Sequence, residues 1–427
     1  MKIKHMLVES AKKGLLGRKI QLKVFLRYNS IKKSLFAKGT ITPEVIKTAK
    51  QLRDEYDSIK IYGILFSNRI GELVSRYLMF RRLVSENTNS KVLNLVFIWE
   101  DDQCNTRLLE MMENSGLVID ANNRDEWIYI LSKQHKVDFS SFYELLERNT
   151  DYHRYDPKVT KEWFAFSENQ IEEGDKKMTK MGVSEPFVCI ANRDDKYLLE
   201  TGYTEVAHHC HRNSDIQTRT LAIDYLYKNG IQTVRMGRIV SGKIEHEGCI
   251  DYANKFYDEL MDLYLSYKCK FYVCDCGGIM LPAESMDKSI VYTNCIEFAM
   301  PGWGAVPQHY DNIMIPKKVY SIKEKRYLNL KELIYIQSIC NGDGSIYKKM
   351  NLRLEENTPT EIYDVVREMN ERIDGTWIDT PEDNNRQQVF QERMNLYIKE
   401  NNIDRRVTYL GRIGSDYLRE NWELLML

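Results

Sequence analysis

A chain of 427 residues is long enough for two domains, and 43% hydrophobic with 29% charged residues is the balance of a globular protein with a sizeable core. Basic and acidic residues nearly cancel (61 against 62, formal net charge −1), so composition makes no case for nucleic acid as a partner. No apolar run approaches the roughly 20 residues needed to span a bilayer, and nine scattered cysteines, an odd number, predict reduced core thiols in a cytoplasmic protein.

The first forty residues carry Lys2, Lys4, Lys12, Lys13, Arg18, Lys19, Lys23, Arg27, Lys32, Lys33 and Lys38 against one acid, Glu9. With Leu15, Leu16, Ile20, Leu22, Val24, Phe25 and Leu26 among them, the stretch reads either as a segment lying on an anionic membrane surface or as a first helix with a basic outer face. It has no unbroken apolar core followed by small residues, so no signal peptide is expected. Residues 60–84 predict a strand, a turn at Ser67-Asn68-Arg69-Ile70-Gly71, and a helix burying Leu73, Tyr77, Leu78 and Phe80. Gly71 lets the backbone come close at the helix start, where amides and dipole favour an anion; the alternative is a glycine that merely fits a tight turn. KVLNLVFIW (91–99) predicts the next strand, closed by Glu100, Asp101 and Asp102, with a helix over 108–114 and a short strand over 116–119 after it. This alternation means a parallel α/β domain.

Residues 150–185 change character, with charged, helix-compatible segments over 159–180. The domain boundary is expected there, dividing the chain into 1–180 and 181–427. The stretch 186–237 then reads as strand, long polar loop, helix, strand. Ile216, Leu221, Ile223 and Leu226 recur at helical spacing, and Asn229-Gly230 stops the helix. Such a unit demands parallel strands and a right-handed crossover, with ligands beyond the strands' carboxyl ends. Two such ends carry Arg193 and Arg235, and the loop between them holds His208, His209, His211 and Arg212. A loop this long and basic reads as a site; the rival reading is a solvated loop whose arginines pair with Asp194, Asp195 and Asp215. A helix over 258–267, a strand over 270–274, the turn Asp275-Cys276-Gly277-Gly278, a helix from Ile279 and a strand over 289–293 ending at Asn294 continue the pattern. From Leu328 the chain reads as mostly helical, with Thr358 capping a helix that has Pro359 at its first position.

The expected architecture is α/β: two Rossmann-like domains facing a cleft, with a helical C-terminal segment. The second half suits a nucleotide-like ligand, with arginines for phosphate, Gly277-Gly278 for close backbone approach, and Thr293-Asn294 for hydrogen bonds. GxGxxG, GxxxxGK[ST], GxSxG and HExxH are all absent, which argues against dinucleotide dehydrogenases, P-loop enzymes, common hydrolases and zinc proteases. Asp-x-Asp is absent too, so a diphosphate is expected to be neutralised by arginines and helix amides rather than through a metal.

The segments FVCIANRDDKYL, HRNSDIQTRTLAIDYLYKNGIQTVRMG, DYANKFYDELMDLYLSYKCKFYV and VYTN resemble a family of bacterial glycosyltransferases found among genes for surface-polysaccharide assembly. SNRIGEL, NTPTEIYDVVREM and RIGSDYL are similar to it as well, so the resemblance spans most of 60–427. It implies the GT-B, metal-independent class: a nucleotide-sugar donor on the second domain, a glycan or lipid-linked acceptor on the first, and no cofactor. A nucleic-acid partner has only the basic start behind it, without interleaved aromatics or a recognisable motif, and is not expected; the cysteines and the basic start place the expected work in the cytoplasm or at the inner membrane face. Arg193, Asp194, His211, Arg212, Asn213, Asp215, Arg235 and Gly237 match the family pattern. Asp275-Cys276-Gly277-Gly278 departs from it, standing where a Thr-Ser-Gly-like turn is expected. Arg193 and Arg212 are expected to stabilise the leaving diphosphate. Glu72, Asp101, Asp102 and His211 are the candidates for deprotonating the acceptor, and Arg69 and Gly71 lie on the acceptor side. Two alternatives share this architecture: a nucleotide-sugar 2-epimerase, and a non-catalytic scaffold of a polysaccharide-assembly complex.

Overall fold

The computed structural model describes residues 55–64, 67–86, 91–98, 103–113, 161–201, 208–296, 312–340, 342–403 and 411–426, with short pieces at 47, 89, 118–119, 137–138 and 298. The basic start, Asp101 and Asp102 lie outside the described residues. The fold is mixed α/β with mostly parallel sheets.

The first sheet is parallel throughout. It contains β1 (Ser58–Ile64), β2 (Val92–Ile98), β3 (Val118–Ile119) and β4 (Val137–Asp138), in the order β3-β2-β1-β4. Helix α1 (Ile70–Glu86) follows β1 and α2 (Thr106–Glu113) follows β2. As the spacing predicts, α1 buries Leu73, Tyr77, Leu78 and Phe80.

From residue 161 the helices are α3 (Glu168–Met181), α4 (Lys196–Glu200), α5 (Thr220–Lys228), α6 (Tyr252–Lys255), α7 (Glu259–Lys268), α8 (Leu281–Ser285), α9 (Leu330–Cys340), α10 (Ser345–Lys349), α11 (Pro359–Ile373), α12 (Pro381–Glu400), α13 (Ser415–Glu420) and α14 (Trp422–Met426). The strands are β5 (Phe187–Ile190), β6 (Gln232–Arg235), β7 (Cys249–Ile250), β8 (Tyr272–Asp275), β9 (Ile290–Cys295), β10 (Ile313–Pro316), β11 (Lys318–Ser321), β12 (Arg326–Tyr327), β13 (Leu352–Glu355) and β14 (Arg412–Ile413). Seven of them form a parallel sheet in the order β14-β10-β9-β8-β5-β6-β7. The other three form a small antiparallel sheet, β12-β11-β13. That small sheet interrupts the tail expected to be mostly helical: Leu352 and Leu354 alternate with Arg353 and Glu355, a strand period too short to stand out.

Local chemistry sets the helix ends. Thr358 and Glu361 form a capping box in front of Pro359, and Gly230, at φ +74°, closes α5 in the left-handed region. The helix expected from Asp215 begins instead as a 3-10 turn, Ile216–Arg219, because Asp215 caps Gln217 N at 3.0 Å and Arg219 is drawn inward. α3, which precedes the expected boundary, packs on α7. Its Gly174 lies against the Tyr264 ring, and the Tyr264 hydroxyl donates to Asp175 at 2.7 Å.

Strand order defines two switch points. In the large sheet the chain runs from β5 to β6 and β7, then crosses back to place β8 on the other flank of β5. In the small parallel sheet β1 lies between β2 and β4. Crevices open outside the carboxyl ends of strands at such points.

Glu284 of α8 accepts from the Tyr292 hydroxyl and from Asn312 Nδ2, both at 3.1 Å. Burial raises its carboxyl from 4.5 to about 7 against the lowering effect of those bonds. Between these pH values the folded state binds more protons than the unfolded one, so stability falls as pH rises. Glu284→Gln keeps both hydrogen bonds and is expected to flatten that slope, raising stability at pH 8 by up to ~3 kcal/mol. Urea titrations of both proteins at pH 5 and pH 8 check it; equal slopes refute it.

Candidate active site

The cleft forms where the two switch points meet. β5 ends in Ala191-Asn192-Arg193-Asp194, β8 in Asp275-Cys276-Gly277-Gly278, and β1 leads through Arg69 and Ile70 into α1. All three ends line one cavity of 270 Å³, with further walls from His209, Arg212, Gly237, Arg238, Tyr257 and Asp262.

The sheets meet closely here. A Cβ on Gly71 would lie 2.5 Å from the Gly278 Cα, and one on Gly278 2.7 Å from the Gly71 Cα. Glycine at both positions lets backbone touch backbone, and the amino end of α1 opens on the cavity beside the second glycine turn. Other ties cross between the same elements. The Tyr197 hydroxyl donates to Asn68 O at 3.0 Å, Arg238 Nη1 to Cys104 O at 2.8 Å, and Thr106 N to Glu259 Oε2 at 2.7 Å.

Asp275 orders the loops around it. Its Oδ1 accepts from Arg219 Nη2 at 2.6 Å, Thr293 Oγ1 at 2.9 Å and Asn294 Nδ2 at 2.9 Å. Its Oδ2 accepts from Ser214 Oγ at 2.5 Å and the Arg193 amide at 2.9 Å. Burial alone would raise this carboxyl, but Arg219 and the surrounding donors outweigh it and hold it below the usual value. Asp275 therefore has a structural job: its carboxylate ties the β5, β8 and β9 ends together. Lys317 adds a second brace, its Nζ donating to the carbonyls of Asn213 at 2.6 Å and His211 at 3.1 Å, with burial lowering its pKa.

Of the residues singled out from sequence, Arg69, Gly71, Glu72, Arg193, Asp194, Arg212, Gly237, Gly277 and Gly278 line the cavity together. Arg212 Nη2 lies 2.7 Å from His209 Nδ1. A guanidinium only donates, so this histidine nitrogen accepts and its proton sits on Nε2. Asp194 accepts from the amides of Lys196 and Ser241, and Glu72 pairs with Arg76 at 3.1 Å. Gly237 adopts φ +148°, a region open to glycine, under Val240.

Six others stand elsewhere. Arg235 is fully buried and donates to the carbonyls of Gly242 and Ser241 at 2.8 and 2.9 Å, clamping the loop after β6 rather than facing the cavity. His211 stacks on Tyr347, ring centroids 5.8 Å apart, with Gly344 against its ring. Thr293 and Asn294 are buried supports of Asp275. Asn213 meets Lys317 through its carbonyl, and Asp215 is an exposed cap. Sequence reasoning missed Asn192, Tyr197, Arg219, Arg238, Tyr257 and Asp262. Arg238 directly follows Gly237, which was a usable signal; the inward turn of Arg219 and the depth of Asp262 come only from packing.

Burial raises the Asp262 carboxyl to about 7, although a bond from the Tyr252 hydroxyl at 2.9 Å and the charge of Arg238 pull it down. Among the described residues no group of three His, Cys, Asp or Glu side chains is set to hold a metal ion, and no helix is long and apolar enough to cross a membrane.

No family model matches the chain, and no curated protein matches it. Among solved structures it is similar to an E. coli ADP-heptose LPS heptosyltransferase II, at 12% identity over 60% of this chain and 90% of that one, TM-score 0.38. It is similar to the iron-containing dodecameric glycosyltransferase TibC of enterotoxigenic E. coli at 11% over 58% and 60%, TM-score 0.34. The wall teichoic acid polymerase TagF overlaps at 10% over 90% and 99%, TM-score 0.28. At such scores the likeness carries no argument about function, which has to come from the cleft.

Proposed function

We propose that this protein is a glycosyltransferase that moves a sugar from a nucleotide-sugar donor to a glycan or lipid-linked acceptor in surface-polysaccharide synthesis, without a metal ion, using a GT-B-like pair of α/β domains. The carrying observation is the convergence of the β1, β5 and β8 carboxyl ends on one cavity lined by Arg69, Arg193, Arg212 and Arg238 and by two glycine turns. Guanidinium groups and helix amides suit a diphosphate. The family resemblance of the 187–294 segments supports the same reading.

The reaction is a displacement at the anomeric carbon. The acceptor oxygen forms the new bond while the bond to the diphosphate breaks, and Arg193 and Arg212 meet the charge that develops on the leaving group. The ordered Asp275 network favours a working site over a scaffold, since it leaves Gly277 and Gly278 facing the cavity.

The test is the change in melting temperature with UDP, GDP, CDP, CMP and ADP and their sugar conjugates, with and without magnesium, because a ligand that binds the native state raises it. One nucleotide family is expected to stabilise the protein independently of magnesium, and Arg193→Ala to lose at least ~10-fold in affinity, the scale of a charged hydrogen bond. No shift with any of them, or an unchanged affinity in Arg193→Ala, sinks the assignment. Sugar inversion without an acceptor moves it to the epimerase.

A further inference from the structure

The α6–α7 wall of the cleft holds polar chemistry that the donor-side arginines leave unused. Asp262, in the first turn of α7, lines the cavity and keeps an edge open to it. Tyr257 lines the same wall, and among the described residues its buried hydroxyl oxygen has no hydrogen-bond partner. A buried hydroxyl left unmatched lacks a hydrogen bond that an incoming polar atom would restore. Arg238 lies over the Tyr257 ring at 5.6 Å and is fixed to Cys104 O. The wall is held against the other sheet, since Glu259, three residues before Asp262, accepts from Thr106 N and Oγ1 while Asn105 Nδ2 donates to its carbonyl.

We propose that this wall is the subsite for the attacking hydroxyl, with Tyr257 binding the acceptor and Asp262 as the catalytic residue that takes its proton. The inference rests on the glycosyltransferase reading. The acceptor O–H bond breaks with its proton passing to Asp262, and the oxygen pair forms the bond to the anomeric carbon. The departing C–O pair leaves on the nucleoside diphosphate, and the proton returns to water afterwards. A carboxyl near 7 suits this task, since a base works best when its pKa lies near the operating pH. The groups that face it are Tyr252 and Tyr257 from the α6 side, Asp258 and Glu259 at the start of its own helix, Arg238 from the loop after β6, Cys104 before α2, and Cys189 and Tyr272 on the strands beneath.

The experiment uses the full chain and the nucleotide sugars of the melting panel, following nucleoside diphosphate release with water as the acceptor from pH 5 to 9. Asp262→Asn is expected to bind donor within ~3-fold of the native protein while turnover falls ~100-fold or more. The native rate rises through a limb near neutral pH that the variant lacks, and Asp262→Glu restores part of both. Tyr257→Phe, which leaves the carboxyl in place, is expected to raise KM for an added acceptor with kcat nearly unchanged. A native protein that turns donor over, with Asp262→Asn within threefold of it, overturns this inference alone. A native protein that neither binds nor cleaves any nucleotide sugar overturns it together with the glycosyltransferase reading.

Discussion

Asp275→Ala is expected to lose about 3–5 kcal/mol of stability, the scale for removing one member of a buried ion pair. Both Asp275 and Arg219 are withdrawn from water, and Arg219 would be left buried opposite an apolar side chain. Thr293, Asn294, Ser214 and the Arg193 amide lose their acceptor in the same step. The sign with pH is fixed as well. The folded carboxyl titrates below its usual 3.8, so its stabilisation is complete above that value and fades as pH falls through the lower folded one. Urea unfolding at pH 7 measures the loss, and a change under about 1 kcal/mol would show that the network is not a structural hub. Replacing the pair together, Asp275→Leu with Arg219→Met, should recover part of the loss by removing the orphaned charge.

Gly71→Ala should displace the start of α1 from the glycine turn and narrow the cleft. The added carbon would meet the Gly278 Cα at 2.5 Å, with Gly278 C and O both at 3.4 Å, and backbone cannot swing aside as a side chain does. Overpacking of this kind costs about 1–3 kcal/mol. The larger effect is on ligand: the same glycines line the cavity, so nucleotide-sugar affinity should fall ~10-fold or more, since a 1 Å displacement there moves the helix amides off an anion. Gly277→Ala is the matched control, its Cβ meeting nothing nearer than the Asp275 carbonyl at 3.7 Å. Equal melting temperatures and equal donor affinities for Gly71→Ala and native protein would refute the close approach.

What was legible in the sequence was whatever depends on local pattern. The β1 and α1 unit with Gly71 at its turn, the Asn229-Gly230 stop and the Thr358 cap all show in short-range spacing, and the structure has them. Strand ends could be counted, so Arg193 and the Gly277-Gly278 turn were found. Direction could not be. Arg235 closes β6 and Arg193 follows the end of β5, yet Arg235 points under the following loop to the carbonyls of Ser241 and Gly242. His211 is separated from Arg212 by nothing in sequence, but one packs on Tyr347 and the other lines the cavity. Asp262 reads as an ordinary acid in a helix's first turn; only the packing of Tyr252 and Tyr257 around it makes it a half-buried group on the cavity wall.

The Asp275 hub also bears on how the molecule comes apart. Its partners sit after β5, ahead of α5 and on β9, so the carboxylate is enclosed only once strands far apart in the chain have been brought side by side. We expect contacts of such long range to close after the folding barrier, which a φ-value near zero for Asp275→Ala would show. Their loss then speeds escape from the native state far more than it slows arrival. The network thus acts as a latch, setting how long an assembled cleft survives rather than how fast one is built.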